Sequence, residues 1–517
     1  MFKQFPHLTR SLTFCLFFVL LLALSWRASF ASLDPDLGWH LKFGRDIGTT
    51  YQLPHDQIHL WTISGSWVDH EWLTNLLMWL IYSQTGYIGL TFGFALITTL
   101  ALWLIGRHLR QQTWTSDIFI ILILTLGWLA IAPHLGPRPQ QISFLFLTIE
   151  LLWLKKLGPR LSWRQVLAWF LFFWLWACLH GGFVVGLAVL GLWFGQKIFI
   201  AIKQKSKPLA FWPSALALAA VSATFLTPYG WRLYDFFLTY RNDAYLKHIS
   251  EWKSIWIFPV HYWQLVAIAT LAALAIILLI FKHFTKVPIW LWLASLIFLI
   301  MGIKSVRHFP LFFVVASLTI LPEFIAVNFS AREREPSKLI FLSFIKILLP
   351  LVLFVSSWLV LLTTNFFYDP FQKNCNDYPC QVGRMLKLHP RYSQLKLLNK
   401  YDYGGWLIWV WPEKKLFIDG RLPQYPLGRW SLLEEYLEFY QVDKIAEKLK
   451  TYDIEAVLWS NHLPQYHLSW LDKLMGFKEA EINGRSDELK KYLDNSDNWL
   501  RAFSDDASTV YIRKDKY

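Results

Sequence analysis

The chain has 517 residues, of which 55% are hydrophobic, 18% aromatic and only 17% charged, with 30 Trp and 41 Phe. A soluble domain carries roughly a quarter charged residues, so this composition excludes an ordinary soluble enzyme and suits lipid-facing helices with interfacial aromatic belts. The net charge of +14 does not indicate nucleic-acid binding, because the Lys and Arg fall in short loops on alternate sides of apolar segments and form no basic-aromatic strip.

Lys3 and Arg10 precede an apolar run that ends near Trp26. It predicts an uncleaved first helix; Ser29-Phe30-Ala31 also fits a signal-peptidase site, and in either case Ser32 onward emerges on the outer side. Residues 71–83 are apolar at helical spacing (Trp72, Leu76, Trp79, Leu80), which predicts a helix lying at the interface and leading into the next span. Further spans are predicted over about 86–106, 117–133, 141–156, 165–180, 182–201, 209–227, 262–281, 288–304, 309–327 and 339–363, each near the ~20 residues that a bilayer core requires. Arg107, Arg110, Lys155, Lys156, Lys197, Lys203, Lys205, Lys207, Lys282, Lys286, Arg332, Arg334 and Lys338 then share one side with the N-terminus. The expected architecture is a mainly α polytopic membrane protein with about eleven transmembrane helices, cytoplasmic N-terminus and extracytoplasmic C-terminus.

The outward segments are residues 32–70, 134–140, 227–262 and 304–308, with a tight turn at His180-Gly181-Gly182. After Asn365 the chain becomes charged and turn-rich. YDYGGWLIWVW and KKLFIDGR predict two strands around a turn at Pro412, and Leu432 to Leu449 an amphipathic helix. AVLW (456–459) and TVYIR (509–513) predict short buried strands; Trp470 to Met475 and Asp487 to Leu493 predict helices. This is a small α/β domain over 365–517, outside the membrane, following a membrane domain over 1–364. Cys15 and Cys178 fall in apolar segments and read as inert, whereas Cys375 and Cys380 are placed for a disulfide on the outer side.

The densest reactive cluster is the first outer loop, residues 32–71. Asp34 and Asp36, separated by Pro35, require an extended or turn backbone. Two carboxylates there can act as a general base on a hydroxyl, orient a metal, or cap the helix that follows. In DHEW (69–72), Asp69 fits an N-cap, Glu71 favours the helix dipole, and His70 can be a base, a ligand or a solvated residue. His40, His55, His59 and His70 are too loosely spaced for a zinc site. Arg138 and Arg307 lie nearest to span ends, where Arg can clamp a phosphate bidentately or contact headgroups. Asp402, Asp419 and Arg421 either line a ligand surface of the outer domain or form structural turns and ion pairs.

DPDLGWHLKFGRDI followed by LPHDQIHLWTISGSWVDHEWL resembles the first outer loop of bacterial integral-membrane proteins with the GT-C glycosyltransferase fold, as do HGG (180–182), TPYG (227–230), SEW (250–252), YDYGGWLIW (401–409) and FIDGR (417–421). Gly38 departs from the pattern, in which an aromatic residue is common. The resemblance implies a bacterial inner-membrane enzyme that transfers a sugar from a polyprenyl-phosphate donor to a glycan, lipid or protein acceptor outside the cytoplasm. Asp34 or Asp36 is then the base, and His40, Asp69, His70, Glu71, Arg138, His180 and Arg307 are substrate-binding candidates, with a divalent metal left open. The competing reading is a non-catalytic envelope assembly or binding protein working through its outer domain. A transporter fits less well, since Glu150 and Lys346 are the ionisable exceptions within the spans.

Overall fold

In a computed structural model, residues 5–112, 117–239, 248–254, 273, 287–319, 321, 339–366, 369, 371, 377–462, 467–468, 470–474, 476–479 and 487–517 are described. The expected span at 262–281, the end of that at 309–327, Cys375, Met475 and the basic residues Lys282, Lys286, Arg332, Arg334 and Lys338 lie outside them.

In chain order the main helices are α1 (Phe5–Ala31), α2 (Leu37–Thr50), α3 (Trp72–Gln112), α4 (Asp117–Ile131), α5 (Gln140–Lys156), α6 (Trp163–Leu179), α7 (Phe183–Lys203), α8 (Lys207–Phe225), α9 (Arg232–Thr239), α10 (Ile289–Lys304), α11 (Phe309–Thr319), α12 (Leu339–Thr363), α13 (Cys380–Leu388), α14 (Gly404–Val410), α15 (Leu432–Leu437), α16 (Ile445–Thr451) and α17 (Glu488–Asn495). The chain forms two compact units: residues 1–32, 88–230 and 253–367, and residues 33–87, 231–252 and 368–517.

The first unit is a helical bundle. α1 packs on α12, α8 on α6 and α7, and α11 on α4, α5 and α10. An aromatic cluster of Phe146, Trp153, Trp169, Phe172, Phe173 and Trp176 fills the seam between α5 and α6. Outward-facing Leu351, Phe354, Trp358 and Leu362 of α12 are all more than half exposed. A row of large apolar side chains left uncovered along one helix is a face suited to lipid. The chain is a membrane protein by these criteria: Ser11–Ala31, Trp72–Gln111 and Phe183–Lys203 are long and apolar enough to cross a bilayer. The expected count of eleven is not reached among the described residues, because six further apolar helices run only 10–17 residues.

The second unit builds a four-stranded sheet from β1 (Leu397–Asn399), β2 (Ala456–Ser460), β3 (Trp499–Ser504) and β4 (Ser508–Arg513) in the order β1-β2-β4-β3. β1 runs parallel to β2, while β4 is antiparallel to both neighbours, in register Ala456 to Ile512 and Leu500 to Ile512. The near-continuous apolar runs of β2 and β4 are buried throughout except at their ends, as expected of strands covered on both faces. The predicted strands at 456–459 and 509–513 are thus present, as are helices at Trp470–Leu474 and Glu488–Asn495. The two strands expected around Pro412 are not. YDYGGWLIWV instead forms a 3₁₀ turn and then α14, and 415–419 contributes an isolated parallel bridge from Leu416 to Leu60. The helix expected over 432–449 is broken into α15, a 3₁₀ turn at Glu438–Tyr440 and α16. Cys380 is disulfide-bonded.

Candidate active site

The first outer loop belongs to the second unit, where its acidic residues pack against C-terminal residues. Asp34 Oδ1 accepts the Asp36 backbone N–H at 2.8 Å, while the Asp34 carbonyl accepts Leu37 N–H at 3.1 Å. This Asx turn lets Pro35 sit between the two carboxylates and launches α2. Asp34 is 9% exposed and spent on this turn, whereas Asp36 is half-buried. Asp36 occupies the N-cap position of α2 without bonding any first-turn amide through its side chain, so the capping role open to it on sequence is not the one it plays.

Three glycines set the position of this turn. A Cβ on Gly38 would overlap the Gly405 carbonyl oxygen, and a Cβ on Gly405 would overlap the carbonyl oxygen of Pro35. A Cβ on Gly420 would overlap Asp36 Oδ1 and lie 3.2 Å from Oδ2. The departure at Gly38 thus has a physical reason: α2 and α14 cross backbone to backbone, leaving no room for a side chain. These glycines serve close approach; Gly404 and Gly405 lie in α14, while Gly420 lies in a turn in which Asp419 Oδ1 accepts Arg421 N–H at 2.8 Å. Tyr378 stacks on Trp406 at 5.6 Å and its hydroxyl donates to the Asp34 carbonyl at 3.4 Å.

One face of α2 carries a second cluster. Asn75 Nδ2 donates to both oxygens of Asp69, at 2.9 and 2.8 Å, so its Oδ1 is the acceptor facing His40 Nδ1 at 2.5 Å. That arrangement puts the imidazole proton on Nδ1 and turns Nε2 toward Glu71 Oε2 at 3.9 Å, an electrostatic neighbour beyond hydrogen-bond reach. His70 Nε2 lies 3.3 Å from Glu71 Oε1, and its ring stacks on Phe236. Burial lowers the pKa of His40, opposed chiefly by Glu71. Burial likewise raises Asp69 to about 6, opposed by the Asn75 amide. Asp69 is fully buried; its carboxylate accepts Glu71 N–H at 3.2 Å and its carbonyl accepts Trp72 N–H at 3.3 Å, so it holds the turn that starts α3. Asn75 went unseen in the sequence; its signal is an isolated amide on an apolar helical face.

Asp419 and Arg421 are paired with each other in the interior: Arg421 Nη2 lies 2.6 Å from Asp419 Oδ2, and the side chains are 1% and 0% exposed. The guanidinium also sits 5.0 Å from the rings of Phe43 and Trp67. Neither charge reaches solvent, whereas Asp402 is exposed, so these three do not share a surface. His59 is pushed down to about 3 by burial and by Arg421, and its Nδ1 lies 3.2 Å from the Pro412 carbonyl. Among the described residues no three His, Cys, Asp or Glu side chains converge to hold a metal.

Arg138, His180 and Arg307 belong to the first unit. His180 Nδ1 accepts from Ser143 Oγ at 2.6 Å and from Gly182 N–H at 3.1 Å, and Trp176 Nε1 donates to Ser143. The neutral ring therefore carries its proton on Nε2. Arg138 follows Gly136, whose φ of 153° only glycine adopts readily, and Arg307 lies in a 3₁₀ turn, both half-buried. His308 beside Arg307 is within electrostatic reach of His134, which makes these two turns neighbours within the bundle.

The chain matches no protein-family model and no curated protein in sequence. It is similar in structure to the oligosaccharyltransferase of Archaeoglobus fulgidus in its apo form, with a TM-score of 0.53 and 11% identity over 89% of this chain and 70% of that one. The same enzyme, AglB, in complex with an inhibitory peptide and a dolichol-phosphate gives 0.53 at 12% identity, again over 89% and 70%. With an acceptor peptide carrying an NVT sequon tethered by a disulfide, it gives 0.50 at 12% identity over 89% and 69%. The fold is accordingly that of the GT-C glycosyltransferases, as the sequence motifs implied.

Proposed function

We propose that this chain is a membrane glycosyltransferase that moves a sugar from a polyprenyl-phosphate donor to a hydroxyl-bearing acceptor outside the cytoplasm of a bacterium. The observation that carries this reading is the division of labour in the Asp34-Pro35-Asp36 turn. Asp34 is buried and holds the turn, while Asp36 is half-buried and does not cap its helix. A half-buried carboxylate held at the start of α2 against Gly420 is suited to general-base work. As the acceptor oxygen attacks the anomeric carbon, Asp36 takes its proton. The bond from that carbon to the phosphate oxygen breaks with its electron pair, and the polyprenyl phosphate leaves. Arg138 and Arg307 are the proposed ligands of the departing phosphate, since Arg pairs bidentately with such groups. The structurally similar AglB has been captured with a dolichol-phosphate, which supports a lipid-phosphate donor here. Eleven spans, with the N-terminus in the cytoplasm and the second unit's sheet outside the inner membrane, belong to the same proposal.

Transfer from lipid-linked sugars extracted from the host membrane, assayed in proteoliposomes, tests it. Asp36→Asn is expected to lower the rate by about two to four orders of magnitude with an unchanged melting temperature. Wild-type transfer by that variant overturns the assignment of the base.

A further inference from the structure

Away from the acidic turn, the first unit holds two adjoining cavities of about 190 and 210 Å³ that share Trp193 and Lys197 as a common wall. Lys155 and Trp290 complete the smaller chamber, and Gln204 and Trp212 the larger. The walls are the last turns of α5 and α7, the first turns of α8 and α10, and the end of α11. All of these belong to the helix ends that carry the basic loops, so the cavities open at the opposite ends of the helices from the His180 turn. We propose that this double chamber is a binding site for the phosphate headgroup of an anionic phospholipid, separate from the site of sugar transfer.

Two ammonium groups bound the smaller chamber. Lys155 Nζ is fixed by the Leu318 carbonyl at 2.8 Å and by His108 Nε2 at 3.1 Å. The histidine faces a cation and so accepts as a neutral ring. Lys197 Nζ lies 5.6 Å from the Trp193 ring, and among the described residues no carboxylate pairs with it. Two positive charges bordering a cavity at a membrane surface attract an anion. Apart from Thr319 and Gln204 the remaining walls are apolar and aromatic, with Trp193 and Trp290 only 2% and 5% exposed. Tryptophan at this depth is the usual companion of the glycerol and upper acyl region. A soluble anion would gain nothing from these rings, whereas a lipid would place its phosphate between the lysines and its glycerol against them. Charge complementarity and amphipathic lining therefore commit the site to a phospholipid.

Native mass spectrometry of the full-length protein, purified from vesicles of phosphatidylcholine with phosphatidylglycerol, tests this. The wild type is expected to retain one phosphatidylglycerol, and Lys197→Gln to bind it about fivefold more weakly, the effect of one basic charge at a membrane surface. Lys197→Arg should keep binding, which separates loss of charge from loss of fold. Lys203→Gln, on the same helix but outside both chambers, should leave it unchanged. Phosphatidylglycerol retained no better than phosphatidylcholine overturns the proposal. So does an equal loss in Lys203→Gln, which would mean bulk surface charge, or full displacement by millimolar inorganic phosphate, which would mean a simple anion site.

Discussion

Gly420 lies directly against the Asp36 carboxylate, and the absence of a side chain there fixes where that charge sits. Gly420→Ala would displace a flexible side-chain end, so the fold should tolerate it while the Asp36 carboxylate, the proposed base, moves. Transfer is expected to fall at least about tenfold, in line with the loss of a well-placed acid–base group, with little change in melting temperature; unchanged transfer would detach Asp36 from the chemistry. His59 carries a pH prediction. Its folded pKa of about 3 lies below the 6.5 of the free side chain, so the unfolded chain binds the extra proton in that window. Stability from this group is complete above pH 6.5 and falls as the pH drops, by about 3 kcal/mol at pH 4.5. Asp69, raised to about 6, acts with the opposite sign between pH 6 and 4, its burial favouring the protonated acid. His59→Gln should therefore flatten the acid loss seen in melting curves between pH 6.5 and 4.5; an unaltered pH profile would contradict the burial argument. The acidic residues of the loop were legible as a cluster from their density alone. Their separate roles were not, because Asp34 and Asp69 are buried by Tyr378, Asn75 and backbone that sequence proximity does not reveal.

At the level of elements, α3 contains Gly86 at φ 66° and ψ −162°, a region in effect reserved for glycine. The break falls between the apolar stretch at 71–83 and the span expected from residue 86. No atom lies within 4 Å of the missing Cβ, so Gly86→Ala should act through backbone strain alone, at about 1–3 kcal/mol. A melting temperature equal to wild type would mean the helix straightens at no cost. The misread element is α14. Its run of Trp, Leu, Ile and Val has strand propensity, and periodicity cannot distinguish a short buried strand from a buried helix. What selects the helix is contact: Gly405 must approach Pro35 and Gly38 with bare backbone. Gly405→Ala should consequently destabilise the unit by about 1–3 kcal/mol or more, since the obstructing atom is a carbonyl that cannot rotate away. Retention of wild-type stability there would refute the packing of α2 on α14.

On the scale of the molecule, the first outer loop and the C-terminal residues form one compact unit. In sequence this loop and the α/β domain stand apart, because pairings such as Leu60 with Leu416 and Gly38 with Gly405 join residues more than 350 positions apart. Removing residues 368–517 strips α2 of its packing partners, so loss of function after that deletion does not separate a catalytic loop from a working outer domain. Point variants do. The buried Asp419–Arg421 pair shows the structural side of the unit: Arg421→Met leaves an uncompensated carboxylate in the interior and should destabilise by about 3–5 kcal/mol, with much of the loss recovered in the Asp419→Asn, Arg421→Met double variant. Additive losses in that cycle would mean the two charges are not coupled. The transferase reading is tested most directly by saturable binding of a polyprenyl phosphate to the protein in lipid bilayers. Wild type and Asp36→Asn are expected to bind equally, and Arg307→Ala more weakly, which separates a phosphate ligand from a base that acts only in transfer. Absence of saturable binding to the wild-type protein would contradict the account.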